Sequence, residues 1–218
     1  MSNTNYPRSW KKFVERSREL KDNPAVSSLS SNNFSTLSQW SARFRFAKSF
    51  KGLDLGESYK TEDTPLGYAA IMRIFLVYSA FETYCNVLNC QAGDENQTKV
   101  ISLQDNVLKG IALSEIRKAD PDNKLFIFLA SHLNENNTKI MKKFISEKTS
   151  DINVSFLAKS IRHVFAHGVL TGNAGGLSAK KFEKISKLIS HFLLECMDSD
   201  FESRVASGYF LVTQECSK

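Results

Sequence analysis

Glycine and proline are scarce in this chain, 10 and 4 among 218 residues, which excludes collagen-like repeats and a Gly/Pro-rich low-complexity chain. Cysteine is scarce as well. Cys85, Cys90, Cys196 and Cys216 include no Cys-x-x-Cys pair, so the chain has neither the spacing of a zinc ribbon nor the density of a disulfide framework. Long uninterrupted apolar runs are also missing. The most apolar stretch, residues 69–88, is broken by Arg73 and Glu82, and it reads as a buried helix rather than a membrane span. The opening MSNTNYPRSW has no apolar run to serve as a signal peptide. These absences lead to the expectation of a cytoplasmic chain with no membrane partner.

What is present is the balance of an ordinary globular protein, 42% hydrophobic and 24% charged residues. The length suits one large domain, or one domain with an extension. Apolar residues recur every three or four positions over long segments, so the pattern is helical nearly throughout and the expected fold class is all-α. A first helix follows Pro7, with Trp10, Phe13, Val14 and Leu20 on one face, and stops at Asp22-Asn23-Pro24. A Ser/Asn cluster from Ser27 to Ser35 leads to a second helix over about 37–50, with Leu37, Trp40 and Phe44 facing inward and Arg43, Arg45 and Lys48 outward. Pro65 suits the first turn of a central helix that continues to about Asn89. Two amphipathic helices are expected at roughly 99–118 and 123–146, divided by Asp120-Pro121-Asp122. A further helix runs from the capping candidates Ser150 and Asp151 to Gly168, and a last long one follows Ser178. Residues 206–213 read as a short extended tail.

Charge divides the chain unevenly. Residues 1–60 hold 11 Lys and Arg against 5 Asp and Glu, whereas 61–218 hold 18 of each, so the net charge of +6 sits in the first segment. The expected organisation is a basic N-terminal helical extension at 1–60, a helical bundle at 65–200 and a C-terminal tail at 201–218. A basic segment beside a neutral body is either an electrostatic footprint for phosphates or a solubilising extension.

One segment carries chemistry. On a helix from Asp151 to Gly168, turning about 100° per residue, Leu157, Ile161, Val164 and Phe165 form the apolar stripe. Arg162 and His167 flank it, and His163 and the small Ala166 lie between them on the side away from the stripe. Phe156 falls on that outward side, which suggests a partner there. His163 and His167 also stand four apart, the spacing of a metal pair, but no third ligand is identifiable and Arg162 would repel a cation. Neither a metal nor another cofactor is therefore expected. His132 and His191 read as lone structural histidines.

The heptapeptide Arg162-His163-Val164-Phe165-Ala166-His167-Gly168 resembles the signature of HEPN-domain ribonucleases, an Arg followed a few positions later by a His near a helix end in an all-α bundle. Leu76-Val77-Tyr78-Ser79-Ala80-Phe81-Glu82 is similar to the central helix of many such domains, which carries an apolar run and an acidic residue. The similarity spans roughly 65–200. It implies an antiparallel HEPN-like bundle and metal-independent cleavage of single-stranded RNA, with Arg162 and His167 catalytic and His163 and Glu82 in support. Such ribonucleases are typically dimers with the motif helices facing across the interface. The resemblance thus implies a homodimer, and a toxin or defence effector restrained by an antitoxin or regulatory protein. Some HEPN toxins carry a Tyr two residues after the His, which a partner nucleotidyltransferase modifies; here Gly168 and Val169 follow His167, so that route has no residue to act on.

The residue chemistry agrees with this expectation. Imidazole titrates near neutrality and serves as proton acceptor or donor, while a permanently charged Arg forks onto phosphate oxygens. Lys180, Lys181 and Lys184 at the start of the last helix, with Arg43 and Arg45, are the candidate RNA-binding cations. The competing expectation is a non-catalytic HEPN interaction or nucleic-acid-binding module.

Overall fold

The computed structural model describes residues 5–21, 31–56, 59, 61–92, 99–100, 103, 105–147, 152–169, 171–172 and 176–210. Among the described residues the fold is all-α, with eight helices and no strand. They are α1 (Trp10–Lys21), α2 (Ser31–Ser49), α3 (Asp63–Val87), α4 (Asn106–Ala119), α5 (Lys124–Ala130), α6 (Glu135–Ser146), α7 (Val154–Ala166) and α8 (Ala179–Ser207). The expected break at Asp22-Asn23-Pro24, the capping candidates Ser150 and Asp151, and the tail beyond 210 lie outside the described residues.

Helix α3 is apolar on nearly all sides, and a helix of that kind is stable only when surrounded. It packs mainly on α8 and α2, with α7 on a further side. Ile71, Ile74, Val77, Phe81 and Tyr84 are almost completely buried on it, and Ala70 and Ala80 let neighbours approach closely. By length and composition α3 could cross a membrane, but 56% of that apolar window is buried inside the fold.

The partners of α3 do not all run against it. Trp40 meets Tyr84 while Phe50 meets Arg73, so α2 is antiparallel to α3. Arg162 lies over Phe75 while Gly172, beyond the end of α7, lies against Gly67, so α7 is antiparallel too. Tyr84 bonds Asp200 near the end of α8, whereas Arg73 lines a cleft with Lys187 near its start. Helices α3 and α8 therefore run the same way. The antiparallel expectation holds for two of the three pairs, and the chain returns between α3 and α8 through α4 to α7.

The described helices of the 1–60 segment, α1 and α2, pack into this body. Trp40 of α2 is fully buried, its ring 4.6 Å from that of Tyr84, 4.9 Å from Phe201 and 5.5 Å from Phe44, and its Nε1–H points at Met197 Sδ at 3.5 Å. Phe13 of α1 packs edge-on to Phe201 at 5.8 Å. One continuous hydrophobic core includes Phe13, Leu37, Trp40 and Phe210. The expected extension is thus a structural part of the bundle, because aromatic area of this size stabilises only when all of it leaves water. The expected tail is likewise helical up to Ser207, where Gly208, at φ +76°, closes α8.

Polar groups set the other boundaries. Asp105 accepts hydrogen bonds from the Val107 and Leu108 backbone amides and starts α4 at Asn106, later than the expected 99. The helix expected over 123–146 is two helices. Asn134 caps α6 by accepting from the Asn137 amide, and the Thr138 hydroxyl bonds the carbonyls of Ala130 and Leu133, which holds the break between α5 and α6.

Trp40→Ala should cost about 3–5 kcal/mol in a urea titration, the range for removing a large buried aromatic side chain. A chain lacking residues 1–60 should lose cooperative unfolding, whereas a detachable extension would leave the transition intact.

Candidate functional site

Helix α7 begins one turn later than expected. Asn153 is the N-cap, its Oδ1 accepting from the Ser155 amide at 3.2 Å. At the other end Gly168 N–H bonds the Phe165 carbonyl at 2.8 Å and Val169 N–H bonds the Val164 carbonyl at 3.2 Å. With Gly168 at φ +73° this is a Schellman closure, and the missing Cβ makes that left-handed turn possible. The segment beyond is fastened to α3: a Cβ on Gly67 would lie 1.9 Å from the Gly172 carbonyl oxygen, so two glycines permit backbone to touch backbone.

The first half of α7 is buried on every side, from Val154 to Ala158, because α3, α4, α5 and α8 all pack on it. Phe156 is therefore a core residue at 5% exposure and not the outward contact expected from the helical wheel. The wheel assigned one inward stripe, and a helix enclosed by four neighbours has no single inward side. Only the last turns emerge, leaving Arg162 half-buried and His163, Ala166 and His167 exposed.

Arg162 turns onto α3. Its Nη2 lies 3.5 Å from Glu82 Oε2, and its guanidinium carbon sits 5.4 Å from the Tyr78 ring centroid and 5.6 Å from that of Phe75. Phe75, Tyr78 and Glu82 share one face of α3 by their spacing of three and seven. The acid and the two rings hold the guanidinium in place, while Arg162 Nε is buried without a hydrogen-bond partner. Burial pushes the Tyr78 hydroxyl well above the usual phenol range, with Glu82 adding to the effect and Arg162 opposing it. Tyr78 is accordingly a neutral wall rather than a titrating group.

His163 and His167 form the other half of the site. Their rings meet edge to face, with centroids 4.4 Å apart. Desolvation lowers the His163 pKa below the ordinary imidazole value, and the neighbouring His167, Lys159 and Arg162 lower it further. The shift favours the neutral imidazole, which can accept a proton, and an arriving anion would oppose it.

The other expected cations lie elsewhere. Lys180, Lys181 and Lys184 are exposed on the first turns of α8, and among the described residues no hydrogen bond or ion pair joins them to Arg162 or the histidines. Arg43 donates to the Thr83 hydroxyl, beside Glu82 on α3. Arg45 is committed to α1's entry, donating to Tyr6 Oη at 2.7 Å with its guanidinium 4.0 Å above that ring. Lys159 and Phe75 join the site without a motif to mark them, and Tyr78, part of the apolar run before Glu82, forms its wall. The spacing of Phe75, Tyr78 and Glu82 was a readable signal for one face, but its pairing with Arg162 depended on where α7 docks.

Comparison of the chain with protein-family models, with curated proteins and with solved structures found no match. The site therefore stands on its own geometry.

The His163 imidazole should titrate below the unperturbed value of about 6.5 when followed by NMR. Lys159→Glu should move its midpoint upward, because an adjacent negative charge favours the imidazolium; an unmoved midpoint would show that Lys159 does not act on it.

Proposed function

We propose that the exposed end of α7 is the catalytic centre of a metal-independent, HEPN-like endoribonuclease acting on single-stranded RNA. The observation that carries this reading is a guanidinium held by Glu82 on the same helix end as two imidazoles in ring contact. In the reaction a ribose 2′-OH attacks the adjacent phosphorus and its proton passes to an imidazole. The P–O5′ bond breaks, and the leaving oxygen takes a proton from the second imidazole. His163, whose lowered pKa favours the neutral form, is suited to accept, and His167 to donate. Arg162 stabilises the charge that develops on the phosphorane oxygens. The products are a 2′,3′-cyclic phosphate and a 5′-hydroxyl.

Glu82 is a positioning residue in this scheme, fixing the Arg162 fork before RNA arrives. A cytoplasmic toxin or defence effector restrained by an antitoxin is the biological setting that fits such an activity. A homodimer remains part of the proposal, with its contacts changed. Phe156 is unavailable, so the interface would form through Ala166 and the α7 end around it. The Lys159 and Arg162 cations of two copies would repel there, which makes an RNA strand between them a natural cement.

A second reading is favoured by the way Arg162 is already engaged by Glu82, Phe75 and Tyr78. An arginine so placed also serves simply to pin α7 to α3, as in a non-catalytic interaction or nucleic-acid-binding module.

Purified protein with mixed cellular RNA and EDTA should yield 2′,3′-cyclic phosphate ends. His167→Ala and Arg162→Ala should each lower turnover by about 10²–10⁴ with little change in RNA affinity. Wild-type cleavage by His167→Ala, or equal loss of affinity and turnover in both variants, would favour the binding module.

A further inference from the structure

A second cluster of basic groups lies away from α7, where α2, α3 and α8 meet. The cleft there has a volume of about 310 Å³ and is lined by Phe44 and Lys48 of α2, Arg73 of α3, and Lys187, His191 and Asp198 of α8, among others. That volume is at the lower end of the range for small-molecule sites, roughly 300–1,000 Å³.

Arg73 is what makes this cleft unusual. It is only 9% exposed. Its Nη1 donates to the Phe50 carbonyl at 2.9 Å and its Nη2 to the Lys51 carbonyl at 3.2 Å. These two bonds orient the guanidinium but do not neutralise it. Arg73 Nε has no partner and no contact with solvent, and among the described residues no carboxylate lies within ion-pair distance of this side chain. Glu183 acts on it only at longer range and is itself bonded to Lys187 at 2.6 Å. A buried charge ordinarily has a counter-ion, because an uncompensated one costs several kcal/mol.

The two acids that line the cleft, Asp198 and Glu195, face Arg8, which they share with Glu202, rather than Arg73. Asp198 accepts from the Arg8 backbone amide and from Arg8 Nε at 3.1 Å, and Lys48 Nζ is 3.8 Å away from it. Glu195 is engaged by Arg8 as well. What Arg73 lacks is an anion of its own, with His191 exposed at the rim of the cleft and Lys187 there in an ion pair with Glu183 that an arriving anion would have to share.

We infer that this cleft binds the oxyanion group, phosphate or carboxylate, of a small metabolite, with Arg73 as its buried counter-charge and Lys187 and His191 at the entrance. The half-buried side chain of Leu194 and the stem of Lys48 supply apolar surface for the body of such a ligand. The site is separate from the α7 end, and its occupant would brace the junction of α2, α3 and α8.

The test is thermal unfolding of the full-length protein with sodium phosphate or sodium acetate, against sodium chloride at equal ionic strength. Phosphate at ten times its Kd should raise Tm by about 3–6 °C in a saturable way. The rise should persist in the Arg162→Ala/His167→Ala variant, which separates this cleft from the candidate catalytic site. It should vanish in Lys187→Ala/His191→Ala, whose altered side chains are exposed and whose fold is expected to survive. Arg73→Gln, which keeps an N–H donor for one of the two carbonyls, should lose it too. A response to acetate as well as phosphate supports an oxyanion site in general, and phosphate alone assigns the phosphate group. A rise reproduced by chloride, kept in the Lys187/His191 variant, or lost in the Arg162/His167 variant would overturn the inference.

Discussion

The need to shield α3 on every side organises this molecule. A helix with apolar residues around nearly its whole circumference gains stability only as water is removed from each face. Here α2, α8 and α7 each cover one. The Trp40 ring, inserted among Phe44, Tyr84 and Phe201, joins α2, α3 and α8 into one body, and Phe13 ties α1 to the same aromatic cluster. Interiors packed in this way transmit displacement of one element to the next. The position of α7, and with it the candidate site, is therefore tied to residues far from it in sequence.

Among the described residues, the buried acids are each met by donors, and Arg73 contrasts with them. Asp200 is buried but accepts from Tyr84 Oη at 2.8 Å and from Arg204 Nε at 2.6 Å, while Arg204 also reaches the Lys99 carbonyl. Asp198 is held by Arg8 and Lys48. Asp120, equally buried, accepts from the amides that begin α5. Each of these acids has its donors. Arg73 is the buried charge that has carbonyls instead of a counter-ion, and that contrast within one core makes it informative.

The α7 end differs from both. Charge is collected there at the surface, where Lys159 and Arg162 lie beside His163 and His167 and Glu82 compensates only Arg162. Cations held close to an imidazole lower its pKa and create a local preference for anions. A well-ordered helix closure through Gly168 and the glycine contact of the following segment with α3 keep the arrangement rigid.

Residue pattern alone determined the all-α class, the central role of the helix after Pro65, the inward faces of Leu37, Trp40 and Phe44, and the end of α7 at Gly168. These are local properties, since helical periodicity and the left-handed preference of glycine act within a few residues. It also brought Arg162, His163 and His167 onto one helix end. Tertiary structure alone decided that Phe156 is enclosed, that residues before 60 belong to the core, and that α3 and α8 run in the same direction. It likewise placed Phe75 and Tyr78 beneath Arg162 and left Arg73 without a carboxylate. Each of these depends on which helices become neighbours, and that choice comes from the summed burial of many side chains distant in sequence, which no local pattern records.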